Sequence, residues 1–314
     1  MRTVKKEPGR RVMKTGRGRR ILTILLTVVL LGSLAGMGYR QMQYREAEVV
    51  YQEAEELVQL PNLEEIVPQT PEESQGGSSS SAESPDTSQE EVAPVYVDPY
   101  AQALRDMDFA ALREQNDEGL GWIVIPNTRI SYPLVQGGDN SYYLNHTWRK
   151  NRSVVGAIFM EYRCSADLSD FNTIIYGHRM NDRSMFGRLL DYKAQSHWES
   201  HPRFYITDDS GTHTYEIFAA YEAAVRSTPY CIDFASDTEK QTFIDYCVSH
   251  SVIDTGVVPT VGDRIVTLST CTGNGHATRW VVQGVERVEA PAEETVEEEV
   301  PVIEVPTEEK PNEE

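Results

Sequence analysis

The stretch that decides the fold runs from Arg264 to Val282 and reads RIVTLSTCTGNGHATRWVV. Its first residues are β-branched and apolar, as in a buried strand, and a second strand begins at Arg279. The residues between Cys271 and Arg279 are mostly turn formers, which predicts a hairpin-like return. We therefore expect Arg279 to lie beside Cys271 at the rim of a sheet.

A cysteine and an arginine in this arrangement suit acyl transfer. The thiolate of Cys271 can attack a carbonyl carbon, and the guanidinium of Arg279 can donate hydrogen bonds to the oxyanion that forms. The alternative is a buried structural cysteine and an arginine in a surface ion pair, which describes most residues of these types.

A nucleophilic cysteine also needs a base, and His178 is the best candidate because it follows the apolar strand Thr173–Tyr176. His276 is only five residues from Cys271, but a glycine-rich turn would hold its ring poorly. The other five histidines are interpreted as surface or structural residues.

Composition divides the chain of 314 residues into five segments. We predict a cytoplasmic basic segment, a transmembrane signal anchor, an extracytoplasmic stalk with a disordered acidic linker, one catalytic domain and an acidic disordered tail. Their bounds are, in order, residues 1–20, 21–39, 40–97, 98–288 and 289–314.

The predicted anchor is a run of 19 uncharged residues, Ile21 to Tyr39, that follows nine Lys/Arg and one Glu. Its length is sufficient to cross a bilayer, and the basic side normally stays in the cytoplasm, so the rest of the chain should lie outside. A cleaved signal peptide with Ser33–Ala35 as cleavage site is the alternative. The uncharged run continues past that site, which favours the anchor.

Two acidic segments lack the apolar residues that a core requires. Residues 41–97 hold 13 acidic residues and one Arg, and residues 289–314 hold 11 Glu and one Lys. Within the first, Tyr44–Leu60 is predicted to form a helical stalk with weak apolar contacts at Val49, Val50, Leu57 and Leu60. Most of the net charge of −20 lies in these segments, and the domain between them has no basic excess, so nucleic-acid binding is not expected.

The domain itself is predicted to be mainly β, because eight short strands suit a closed barrel. An amphipathic helix over Ala101–Glu114 precedes them. A second helix over Ser236–His250, with Ser236 and Glu239 as a capping box, is inserted before the last two strands. The predicted strands are Trp122–Ile125, Ile130–Val135, Val154–Tyr162, Thr173–Tyr176, Phe204–Thr207, Tyr215–Ala224, Arg264–Ser269 and Arg279–Val285.

Cys271 must be free if it is a nucleophile, which leaves three other cysteines. Cys164, Cys231 and Cys247 are predicted to be buried thiols. A Cys231–Cys247 disulfide is the alternative for the last two.

Several stretches together resemble the class B sortases, membrane-anchored cysteine transpeptidases of Gram-positive cell envelopes. The TLSTC strand with a later Arg is typical of sortases generally, whereas the DNSYYL and YGHRM-x₃-SMFG stretches and the inserted helix indicate class B. The resemblance covers roughly residues 121–284. The matching stretches are Gly121–Asn127, Tyr132–Gln136, Asp139–Leu144, Ile175–Met180, Ser184–Gly187 and Thr267–Cys271.

The resemblance implies a role for each matching site residue. It makes Cys271 the nucleophile, His178 its acid/base partner and Arg279 the group that stabilises the oxyanion or orients the substrate. Positions that line the family's peptide groove are matched by Asn140, Leu144, Ser269 and Thr270. The loop after Cys271 is two residues shorter than in some members and lacks their acidic residues, so its substrate contacts are open. The loop Ser227–Cys231 is expected to shape the motif pocket.

The implied reaction cleaves a C-terminal sorting motif after Thr, through a thioester on the cysteine. The acyl group then passes to an amine of peptidoglycan or of a pilin, and no metal or organic cofactor is required. Motifs of the Asn-Pro-x-Thr-x and Ser/Pro-Pro-x-Thr-Gly types both remain open. Val67–Pro71 looks like a sorting motif, but no hydrophobic tail and basic end follow it.

Three other functions remain alternatives on sequence grounds. A secreted cysteine peptidase or an L,D-transpeptidase-like peptidoglycan enzyme would use the same residue types without these motifs. A catalytically inactive envelope-binding module is the third, and the presence of all three candidate residues in matching contexts argues against it.

Overall fold

Eight strands form a closed barrel in the order β1-β2-β3-β4-β7-β8-β6-β5. Neighbours are antiparallel except for the parallel pairs β2–β3 and β4–β7. The predicted barrel is confirmed. The strands are Gly119–Val124 (β1), Ser131–Val135 (β2), Ile158–Met160 (β3), Asn172–Tyr176 (β4), Arg203–Asp208 (β5), Gly211–Ala224 (β6), Ile265–Cys271 (β7) and Thr278–Arg287 (β8).

The computed structural model describes residues 16–66, 98–273, 275 and 277–287. The acidic linker beyond residue 66, the tail and most of the basic segment lie outside the described residues. So do His276 and Val67–Pro71, and the predictions for them stay predictions.

Strand β7 is buried along its length until it reaches Cys271. The barrel interior covers one face. A smaller cluster of buried apolar residues outside the barrel covers the other, where Ile265 packs with Phe243 and Ile244. A strand covered on both faces reads as a continuous apolar run. Cys271 is half-buried because it is the residue at which β7 leaves this cover.

The inserted helix α5 spans Asp237–His250 and is confirmed. The hydroxyl of Ser236 accepts the N–H of Glu239, and the Glu239 carboxylate accepts the N–H of Ala235. This is the predicted capping box with one difference: Glu239 accepts the N–H of Ala235, one residue before the N-cap Ser236, and not that of Ser236 itself. The predicted apolar face, Phe243, Ile244 and Cys247, is buried.

The single opening helix predicted over Ala101–Glu114 is wrong. Two short helices replace it, α2 over Pro99–Leu104 and α3 over Ala110–Gln115. The N–H groups of Arg105 and Met107 close tight i→i+3 bonds that end α2. Asp108 then accepts the N–H of Ala110 at 2.8 Å and starts a new helix. One further short α-helix, α4, spans Gln195–Ser200. The 3₁₀ helices of the described residues are Leu63–Glu65, Tyr142–Leu144, Phe186–Lys193 and Thr228–Tyr230.

Helix α1 runs without a break over 42 residues, Gly16–Leu57, and contains the apolar run of the predicted anchor. Among the described residues it is the one helix long and apolar enough to cross a membrane. Its C-terminal part packs on the domain through Ala47, Tyr51 and Ala54, followed by Val58, all of which are buried. The predicted contact at Val49 is wrong, since Val49 is 51% exposed. The three- and four-residue spacing of the buried residues defines a different helix face.

All four cysteines are free, so the alternative disulfide is not formed. Cys164 and Cys247 are buried as predicted, and burial raises the pKa of each thiol to about 11. The prediction that Cys231 is buried is wrong. It follows the short Thr228–Tyr230 helix and is exposed.

At the β5–β6 hairpin, His213 lies between two carboxylates and is expected to make stability pH-dependent. Its Nδ1 is 2.8 Å from Glu286 and its Nε2 is 3.5 Å from Asp208, and hydrogen bonds to both raise its pKa from 6.5 to about 9. A pKa raised by folding stabilises the native state fully below about pH 6.5, and this contribution is lost as pH rises through about 9.

We therefore expect His213→Gln to cost about 1–3 kcal/mol at pH 6 and close to nothing at pH 10. The measurement is urea unfolding of the full chain in detergent at both pH values, relative to the wild type. Exposed His250 serves as the matched control in His250→Gln. An equal cost for His213→Gln at both pH values would contradict the assignment.

Candidate active site

Cys271 and Arg279 are cross-strand partners at the rim of the barrel. The antiparallel register of β7 and β8 pairs Thr270 with Trp280 and Cys271 with Arg279. Cβ atoms of directly opposed residues lie about 4.5–5.5 Å apart. The Arg279 guanidinium donates to the carbonyl of Thr278 at 2.9 Å. The predicted hairpin-like return is present, and it brings the two side chains together.

His178 lies beside Cys271 because β4 and β7 are parallel neighbours. The register pairs Tyr176 with Ser269, and the chains continue to His178 and Cys271 at the same level. The imidazole Nε2 is 2.6 Å from the carbonyl oxygen of Leu144. A carbonyl only accepts, so Nε2 carries a proton and Nδ1 is the nitrogen left for the thiol.

The electrostatics of the site lower the pKa of Cys271 and raise the pKa of His178. A hydrogen bond with His178 lowers the pKa of Cys271, and the charges of Arg279 and Arg179 add to that effect against desolvation. The same hydrogen bond raises the pKa of His178, opposed by burial and assisted by the Leu144 carbonyl. A cysteine in such surroundings is a reactive one.

A groove of about 860 Å³ extends from these three residues, and it is wide enough for a peptide. It is lined by every residue that the sequence analysis assigned to the site: Cys271, His178, Arg279, Asn140, Leu144, Ser269 and Thr270. Three residues of the loop Ser227–Cys231 also line it: Ser227, Tyr230 and Cys231.

The side chain of Asn140 is held in one orientation by its neighbours. Its Nδ2 donates to Glu161 at 2.5 Å, and its Oδ1 accepts the N–H of Tyr162 at 3.1 Å. The Glu161 side chain is 2% exposed and also accepts from Tyr176 and Arg163. A buried carboxylate with three donors is well stabilised, so it fixes the groove around it.

Ser269 and Thr270 differ in what they present to the groove. The hydroxyl of Ser269 is 2.9 Å from that of Tyr230, which ties the strand to the loop. Thr270 alternates with its neighbours along the strand, so its side chain is directed to the opposite face from Cys271. Its Oγ1 is buried without a partner among the described residues.

Sequence reasoning missed several residues of β3, β4 and the loops after β3 and β6 that also line the groove. Glu161 and Arg163 follow a short apolar strand, and a carboxylate at that point was a signal that could have been used. The others missed are Phe159, Tyr176, Val225 and Arg226.

The comparisons with known proteins agree with this geometry. The family model described as "Sortase domain" matches residues 123–287. The chain is 37% identical over 163 residues to sortase B of Staphylococcus aureus, covering 52% of this chain and 67% of that protein. The chain belongs to the class B sortases. This sortase is therefore a cysteine transpeptidase, and α1 is its candidate membrane anchor.

Solved structures of class B sortases also resemble this sortase. The S. aureus sortase B–substrate complex has a TM-score of 0.55 at 34% identity, covering 58% of this chain and 85% of the other. Sortase B from B. anthracis in complex with AAEK1 has a TM-score of 0.59 at 30% identity, covering 79% of this chain and 99% of the other. The second match extends beyond the length of the barrel domain.

Proposed function

We propose that this sortase cleaves the sorting motif of a surface protein after Thr and transfers the new acyl group to an amine. Cys271 is the nucleophile, His178 the acid/base and Arg279 the oxyanion donor. The single observation that carries the proposal is the convergence of these three residues at one end of a peptide-sized groove.

In the first half-reaction the Cys271 thiolate attacks the carbonyl carbon of the motif's Thr. A C–S bond forms, and negative charge on the oxygen is stabilised by Arg279. The C–N bond then breaks, and the departing amine takes a proton from His178. The products are a thioester on the enzyme and the released C-terminal peptide.

In the second half-reaction an incoming amine attacks the thioester carbonyl and gives a proton to His178. A C–N bond forms, the C–S bond breaks and the thiolate is regenerated. The acceptor is an amine of peptidoglycan or of a pilin. Both steps balance without an oxidant, a reductant or a metal ion.

The anchor sets where this chemistry takes place. Residues 21–39 cross the membrane once with the basic segment in the cytoplasm, and the catalytic domain of residues 98–288 is extracytoplasmic. Continuity of α1 from the apolar run to its packing on the domain supports this arrangement. A cysteine-accessibility assay on intact cells tests it, because a cell-impermeant thiol reagent should label Cys271.

The test of function uses the full chain in detergent with a panel of sorting-motif peptides, with and without amine acceptors, followed by intact mass. An acyl adduct that disappears when amine is added, with formation of an amide product, supports transpeptidation and names the motif. Product release at the same rate with or without amine would indicate a peptidase instead. No adduct with any peptide, despite an alkylatable Cys271, would favour a binding role.

Arg279→Lys is expected to lower kcat by about 10²-fold with little change in KM. Lysine keeps the positive charge but lacks the planar fork of donors that an oxyanion at this position would use. Steady-state kinetics with the best peptide measures the effect. Arg226 lines the same groove, and Arg226→Lys is the matched control. A rise in KM with unchanged kcat would assign Arg279 to ground-state binding instead.

A further inference from the structure

Helix α1 reaches the loop that holds His178 through one buried tyrosine. The Tyr51 hydroxyl donates to the carbonyl of Gly156 at 2.6 Å. Tyr51 is 7% exposed, and on the same helix Val50 accepts the indole N–H of Trp148 at 3.0 Å. Together with the Arg149 guanidinium, which donates to Glu53, these bonds join this end of α1 to the catalytic domain at three positions.

Gly156 lies directly against the imidazole and its anchor. Its φ is +67°, and a Cβ built there would be 2.9 Å from Cδ2 of His178 and 3.0 Å from the carbonyl oxygen of Leu144. That carbonyl is the one bonded to the His178 ring. Next along the chain, Ala157 donates its N–H to Tyr143 at 2.9 Å, which ties the two loops together. A shift of Gly156 would thus move the group that orients the ring.

A second set of contacts connects Tyr51 to the other side of His178. The Tyr51 ring meets the Tyr132 ring edge-on, with centroids 5.3 Å apart. The Tyr132 hydroxyl accepts the N–H of Met185 at 2.9 Å. The next residue, Phe186, donates its N–H to the carbonyl of His178 at 3.0 Å.

We propose that Tyr51 is a positioning residue for the transpeptidation reaction, through which the docked end of the anchor helix holds His178 in place beside Cys271. The proposal rests on the proposed role of His178. It gives the helix that follows the membrane span a part in catalysis, and it explains why an aromatic residue with a hydroxyl is buried at this point of α1.

The test compares full-length Tyr51→Phe with the wild type in detergent. Phenylalanine keeps the ring contact and removes the bond to Gly156, so we expect the acylation rate to fall about 5-fold, as small misplacements of catalytic groups do. The pH midpoint of Cys271 alkylation should also rise, because a loosened His178 stabilises the thiolate less. Arg279 and Arg179, the other charges facing the thiol, are unchanged. Tyr132→Phe, which breaks the second set of contacts, should give a change in the same direction.

The matched control is Glu53→Gln, which removes the ion pair between the same helix and Arg149 without touching Gly156. This variant should have the wild-type acylation rate and the wild-type pH midpoint of Cys271 alkylation. If Tyr51→Phe lowers Tm but leaves both at wild-type values, Tyr51 is only structural and the proposal is overturned. A shifted midpoint in a chain that acylates no peptide would support the positioning role while the proposed function failed.

Discussion

Cys271→Ala should abolish the acyl adduct and lower transpeptidation by at least about 10⁴-fold, because Cys271 is the thiol that lies beside His178 and Arg279 and forms the thioester. The side chain is half-buried at the end of β7, so its loss should leave the fold and Tm nearly unchanged. Intact mass with the best peptide, and amide product with added amine, measure the effect.

The groove offers its own matched control for this variant. Cys231 is a second thiol that lines it, and Cys231→Ala should keep the adduct and the rate. If Cys271→Ala still forms an adduct, or if Cys231→Ala no longer does, the nucleophile is not Cys271.

His178→Gln should lower the acylation rate by about 10³-fold, the scale of general acid–base catalysis. Glutamine keeps a hydrogen-bonding group near Leu144 but cannot protonate the leaving amine. Because the bond to His178 is the largest influence lowering the pKa of Cys271, the alkylation midpoint of Cys271 should rise in the variant. Single-turnover acylation and alkylation against pH measure the two effects separately.

The control for this variant is His146→Gln, at a half-buried histidine stacked on Tyr142. It should leave both measurements unchanged. An unchanged alkylation midpoint in His178→Gln would show that the two side chains are not coupled, and the acid/base role would have to be moved to another group.

Much of the site could be predicted because its parts are local in sequence. Cys271, the turn and Arg279 lie within nine residues, so hairpin register alone makes the two side chains neighbours. His178 needed one more step, the parallel pairing of β4 with β7, which strand propensity does not specify. The family resemblance implied the role of His178 without that pairing.

The errors share a different cause. The break between α2 and α3 depends on the carboxylate of Asp108. It accepts the N–H of Ala110, so a new helix starts there instead of one helix continuing. The exposure of Cys231 depends on the path of the loop Ser227–Cys231. Composition predicts neither this exposure nor the break between the two helices. Val49 was predicted to make an apolar contact but is exposed, whereas Tyr51 is buried, because the buried face of α1 is set by the surface on which it docks.

The amino-acid sequence by itself determined the strands, the apolar run of the candidate anchor and the neighbouring positions of Cys271 and Arg279, since each depends on periodicity, composition or short spacing. Only the tertiary structure decided that Glu161 fixes Asn140 and that Tyr51 reaches Gly156. Those contacts join residues 21 and 105 positions apart. No local pattern relates such distant residues, because these contacts depend on how the barrel closes and on where α1 packs against it.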